Sequence, residues 1–112
     1  MNSTVYIVQE PQRRDRITGE FVPTFDLTPA AVYGDLKVIL PPGNVMLSPA
    51  PMIAKLKHEL RNFCDDDYLL AVGDPAAMTT AAAIAAKFNR GKYALLKWDR
   101  EARAYITIPI EI

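Results

Sequence analysis

Eight consecutive residues in the second half of the chain restrict its fold more than any other feature. Tyr68-Leu69-Leu70-Ala71-Val72 is apolar at every position, and Gly73-Asp74-Pro75 follows without a break. An apolar run of strand length without alternation suits a strand buried on both faces. Gly for the turn, Asp as helix cap and Pro at the first helical position then start a helix at once. A strand covered on both sides and feeding a helix is the unit of a parallel α/β sheet.

The same grammar recurs on either side. Leu36-Lys37-Val38-Ile39-Leu40 reads as a strand stopped by Pro41-Pro42-Gly43-Asn44, and Ser48-Pro49 as a cap and first helical position. Met52, Ile53, Leu56, Leu60 and Phe63 then recur at helical spacing, with Lys55, Lys57, His58, Arg61 and Asn62 on the other side. The second helix runs from Pro75 to Asn89, and Gly91 supplies its stop. Residues 93–98 and 105–110 read as two further strands joined through residues 99–103, with Pro109 pointing to an edge or a strand end. Helical crossovers make the strands between Asp35 and Trp98 parallel, while the short final turn makes the last pair antiparallel.

The expected fold class is therefore α/β: a mixed sheet with a β-α-β-α-β parallel core, a C-terminal antiparallel strand, an N-terminal β-hairpin and two main helices. In that hairpin Val5-Tyr6-Ile7-Val8 is expected to pair with Phe21-Val22-Pro23-Thr24-Phe25 across a polar loop, with Pro23 confining the second strand to an edge. At 112 residues the chain reads as a single domain, 1–112. Residues 1–33 are its hairpin and loop, and residues 34–112 its α/β core.

Composition narrows the function classes. Thirteen basic residues balance thirteen acidic ones, so no global field favours nucleic acid or an anionic membrane. The single cysteine, Cys64, excludes an intrachain disulfide and fits a reducing compartment. No apolar run approaches the ~18 residues of a membrane span, and Met1-Asn2-Ser3-Thr4 does not read as a signal peptide, so a cytoplasmic protein is expected.

Several segments resemble a known family. Gly34-Asp35-Leu36, Asp65-Asp66-Asp67-Tyr68-Leu69-Leu70, Val72-Gly73-Asp74-Pro75, and Lys97-Trp98-Asp99-Arg100 with Tyr105-Ile106 are similar to a family of short, uncharacterised proteins of tailed bacteriophages, many of them marine. The resemblance covers residues 25–110 and implies a phage genome and an infected bacterial cytoplasm. Its signatures lie in turns and strands, so it carries no activity and no functional residue across.

Candidate sites each have a bland reading beside them. Gly73-Asp74 begins a helix at the carboxyl edge of a parallel sheet, where anions and ligands bind, and Asn44 and Asp99 are expected at the same edge. Asp74 is itself negative and occupies the free amides, and no phosphate-loop or dinucleotide spacing follows, so a structural cap is favoured over a ligand site. Asp65-Asp66-Asp67 sits past a helix carboxyl end, where the dipole disfavours negative charge. It reads as a solvated turn first and as an acidic patch for a basic partner second. Adjacent carboxylates lack the spacing of a calcium loop.

Lys92, Lys97, Arg100 and Arg103 interleave with aromatics in the manner of single-strand binders, together with Arg13, Arg14 and Arg16 from the first loop. Strand alternation instead puts Trp98 with Leu96 in a core set, leaving a charged hairpin rim. His58 faces solvent alone, and Cys64 lies beside three aspartates that disfavour thiolate, so no catalytic set forms and neither metal nor cofactor is expected. On the second helix Met78, Ala81, Ala85 and Phe88 are expected to face the sheet. Ala76, Thr79, Thr80, Ala83 and Ala86 make an outer face that is small and uncharged, suited to close contact.

The leading expectation is a non-enzymatic accessory protein acting by contact with itself or with a host or virion protein. Nucleic-acid binding through the 87–103 region is the first alternative. A small-nucleotide binder at the carboxyl edge is the second.

Overall fold

The computed structural model describes residues 3–23, 26–42 and 49–112. Along them run β1 (Thr4–Gln9), β2 (Gln12–Arg14), β3 (Phe21–Pro23), a 3-10 helix (Thr28–Tyr33), β4 (Asp35–Leu40), α1 (Pro49–Leu60), β5 (Tyr68–Leu70), α2 (Pro75–Phe88), β6 (Lys92–Asp99) and β7 (Ala104–Glu111). Five strands make one sheet in the order β4-β1-β5-β6-β7, parallel at every seam except β6–β7. The fold class is α/β with a mixed sheet, and α1 and α2 bridge β4, β5 and β6 as expected.

The N-terminal segment departs from the expected pairing. Val5-Tyr6-Ile7-Val8 does not pair with the Phe21 run; it forms β1, inserted between β4 and β5 and parallel to both. All four residues are buried, and a run apolar at both parities cannot leave one face wet, as a hairpin arm would. The hairpin uses the polar stretch instead, with Gln12, Arg13 and Arg14 facing Pro23, Val22 and Phe21. The α/β core thus reaches back to residue 4.

Register fixes two faces. Tyr6, Val8, Ile39 and Leu69 turn towards α1 and α2, where they meet Met52, Leu56, Leu60, Ala77, Ala81, Ile84 and Ala85. Leu56 and Leu60 are fully buried, and each contributes about 1.5–3 kcal/mol through the apolar area removed from water. Val5, Ile7, Leu70, Leu96 and Tyr105 turn the other way, under Leu27 and Ala30 at the 3-10 helix. The connection from β1 to β4 therefore steps one way over the 3-10 face, and α2 steps the other way over the helical face. Reversing both direction and face keeps a single hand, as the crossover rule requires.

Lys37 and Glu59 tie β4 to α1 at 2.7 Å, with Lys55 joining at 3.3 Å. At the other end Asp67 secures the start of β1. Its carboxylate accepts from the Thr4 amide at 3.1 Å and from the Cys64 amide at 3.1 Å.

Candidate functional site at the carboxyl edge

In open α/β sheets ligands sit where successive crossovers leave in opposite directions. Here that point lies between the carboxyl ends of β1 and β5, and the Gln9 side chain occupies it. Its Oε1 accepts from the Asp74 amide at 2.9 Å, and its Nε2 donates to the Pro41 carbonyl at 2.8 Å. Gly73, at φ 109°, lies so close that a Cβ there would stand 2.6 Å from that of Gln9. Asp74 caps α2, accepting from Ala76 at 2.8 Å and Ala77 at 3.3 Å. Gly73 and Asp74 are thus accounted for by the helix start. Asp99 accepts from the Glu101 amide at 3.1 Å within the β6–β7 turn, and Asn44 lies outside the described residues.

An open cavity of about 600 Å³ lies beside this lock, under the ends of β5, β6 and β7. Leu70, Val72, Leu96, Trp98 and Tyr105 make most of its lining, with Asp26 and Arg100 beside them, while strand alternation turns the Lys97 side chain to the opposite, helix-side face together with Leu95. Trp98 shares a face with Leu96, as alternation predicts, but is not core: at the end of β6 it is 42% exposed. Its ring meets Tyr105 edge-on, with centroids 5.1 Å apart. Tyr33 fixes that pair from below by donating to the Tyr105 carbonyl at 2.7 Å. At the rim, Asp26 accepts from both the Thr28 hydroxyl and the Thr28 amide, which holds its carboxyl below the ordinary value. Burial and the Asp26 carboxylate push the Tyr105 hydroxyl above its own. Among the described residues no carboxylate stands within ion-pair distance of Lys97 or Arg100.

The β2–β3 hairpin leaves the sheet from this same edge, two residues beyond Gln9. None of its six strand residues is buried. Its tip is nonetheless ordered by Asp15, whose carboxylate accepts from Ile17 at 2.7 Å and Thr18 at 3.1 Å and is held below its ordinary pKa by these amides. The Asp15 amide donates to Glu20 at 2.8 Å, and Gly19 donates back to Asp15 at 2.9 Å. Ile17 stands on this frame 95% exposed. Below it the Arg14 guanidinium lies 5.1 Å from the Phe21 ring. The fixed isoleucine has a local sequence signal, Asp-x-x-Thr-Gly turn chemistry, but only the structure shows which side chain it lifts clear.

The remaining sequence candidates are dispersed. Lys97, Arg100 and Arg103 gather at the carboxyl edge, whereas Lys92 begins β6 at the opposite edge, near Asp65 and Asn89. The acidic triplet is at that opposite edge too. Asp65 accepts from Asn89 at 2.9 Å and faces Arg90 at 3.8 Å, and Asp67 is buried on the amides described above. The Cys64 thiol accepts from the Asp66 amide, which alone would lower its pKa, but burial and the Asp67 and Asp66 carboxylates outweigh this and raise it.

On α2, Thr79 and Ala83 are exposed, Ala76 and Thr80 half-buried. Ala86 is not on the outer face: it is buried, one turn beyond Ala82, which packs into the helix-side core. Phe88, the last residue of α2, is 41% exposed at the amino edge rather than covered. His58 is exposed. Among the described residues, no three His, Cys, Asp or Glu side chains form a group that could hold a metal ion. No helix among those residues is long and apolar enough to cross a membrane.

No curated protein and no solved structure matches the chain. The family model described as Phage Pam3 gp32-like protein matches residues 3–112, nearly the whole of the sequence, and the chain belongs to that phage family.

Proposed function

We propose that the protein is a non-enzymatic phage accessory component that works by protein–protein contact in the infected cell, with the carboxyl edge as its contact surface. The observation that carries this reading is the hairpin tip. Four backbone amides and two backbone carbonyls are engaged to hold a turn whose most prominent side chain, Ile17, is almost wholly exposed. An apolar residue kept rigid in water gains free energy only when something covers it, and a preordered loop loses little entropy on docking. The half-exposed Trp98 beside a cavity bordered by Arg100 supplies an acceptor on the same edge, of the aromatic-and-arginine composition common at interface centres.

The test is a photo-crosslinking residue placed at position 17 and expressed during infection. A discrete protein adduct, lost when Asp15→Ala loosens the tip, is the expected result; absence of any protein adduct overturns the reading. One observation favours a second reading, nucleic-acid binding. Arg13, Arg14 and Arg16 rise from the same edge as Lys97, Arg100 and Arg103, with Phe21 and Trp98 half-exposed among them. Asp15, Glu20, Asp26, Asp99 and Glu101 interrupt this set, which places it second. Retention on heparin at low salt with a steep salt dependence would reverse that order.

A further inference from the structure

The five-stranded sheet ends in β4 on one side and β7 on the other, and the two edges differ. On β7, Pro109 withholds a donor from any further strand. β4 carries no proline, and among the described residues no strand pairs with its outer side. The Asp35 amide donates to the Ser3 carbonyl at 2.9 Å. Alternation therefore points the backbone groups of Asp35, Lys37 and Ile39 at β1, and those of Leu36 and Val38 away from it. Register puts the Leu36 and Val38 side chains on the 3-10 face with Val5 and Ile7, yet they are 38% and 45% exposed. Asp35 and Lys37 share the helix face, and both are exposed. A lone lysine would guard such an edge; here an aspartate two residues away offers it a counterpart.

We propose that the outer edge of β4 takes β4 of a second copy of this chain, antiparallel about a two-fold axis at Leu36, joining two five-stranded sheets into one. This surface is separate from the carboxyl-edge contact. With Leu36 opposite Leu36 of the second copy, the outward backbone groups of the two residues exchange both hydrogen bonds. Asp35 of each copy then stands opposite Lys37 of the other as a non-hydrogen-bonded pair, the kind whose side chains approach most closely. Lys37 and Lys55 already hold Glu59 at 2.7 and 3.3 Å, so the incoming Asp35 completes a set of two cations and two anions on each side of the axis. Val38 falls opposite Gly34, which is extended at φ 159° and has no side chain to exclude it. The neighbouring registers lose this match. Centring on Lys37 sets two lysines directly opposite each other, and centring on Val38 sets Lys37 against Ile39. An axis perpendicular to the sheet keeps the helix face and the 3-10 face each continuous, and the isologous seam closes as a dimer.

Sedimentation equilibrium of the full chain up to about 200 µM, enough to populate a dimer of micromolar Kd, tests this directly. A monomer–dimer equilibrium is expected. Leu36→Pro removes an outward-facing N–H that β1 does not use, and should weaken the dimer at least about tenfold. Asp35→Lys and Lys37→Asp supply an independent test that spares the backbone. Each variant alone places like charges opposite each other and should stay monomeric, whereas an equimolar mixture restores both opposite-charge pairs and should dimerise. Circular dichroism spectra matching the parent show the fold intact in each variant. A parent chain that is monomeric throughout the range, or a mixture that associates no better than its components, overturns the proposal. So does a dimer indifferent to Leu36→Pro.

Discussion

Single residues hold the functional edge in shape. Gly73 combines a φ of 109° with a backbone approach to Gln9 that leaves no room for a methyl group. Gly73→Ala should therefore lower stability by about 2–4 kcal/mol, the sum of a left-handed backbone penalty and overpacking. Urea unfolding would show it as a lower midpoint at unchanged slope. Glu59 offers a second test. Hydrogen bonds from Lys37 and Lys55 take its carboxyl down to about 2 from 4.5. Its contribution is complete above the unfolded value of 4.5 and is lost as pH falls through about 2. Both lysines are half-exposed, so water screens the pair, and Glu59→Gln should cost only about 0.5–1 kcal/mol at neutral pH. The difference between variant and parent should vanish in unfolding curves taken near pH 2.

At the scale of elements, β7 shows how an edge strand is kept from uncontrolled pairing. The Ile112 amide donates to Gly91 across the seam at 2.8 Å. Alternation then turns the backbone N–H and C=O groups of the even-numbered residues of β7 towards β6 and leaves those of Tyr105, Thr107 and Pro109 on the open side. Pro109 thus places its missing N–H where a foreign strand would look for a donor. Pro109→Thr should leave the β6–β7 ladder intact, raise aggregation at high concentration, and be read by light scattering on heating.

The elements also show what a sequence reveals. The helix starts, the Asp74 cap and the parallel order from β4 to β6 are local chemistry and were legible. The partners of β1 were not, because pairing is decided by which strands can bury both of its faces, far away along the chain. Its lack of alternation, the property that identified the strand at Tyr68, was the available signal. Trp98 and Phe88 were misplaced for a related reason: periodicity gives the face of an element but not where its cover ends.

For the molecule as a whole, the sheet and the hairpin are separable in energy. The hairpin buries none of its strand residues, whereas β1 supplies four buried residues to both cores. Replacing residues 12–23 with a short Gly-Ser linker should leave the melting temperature within a few degrees, about the effect of a surface change. The same excision should abolish contact at the carboxyl edge. Of the candidate site, the sequence disclosed the edge and several of its charges. The cavity and the raised tip depend on three-dimensional gaps between elements, which no local pattern encodes.

The central place of β1 sets the timing of biosynthesis. Val5 finds its neighbours at Leu36 and at Tyr68, so a ribosome must add more than sixty residues after Val5 before this ribbon is flanked on both sides. Until then a sticky segment is carried bare, which is when nascent chains are caught by holdases or misassemble. Premature termination anywhere before Leu70 should accordingly yield fragments that aggregate more than the full chain does.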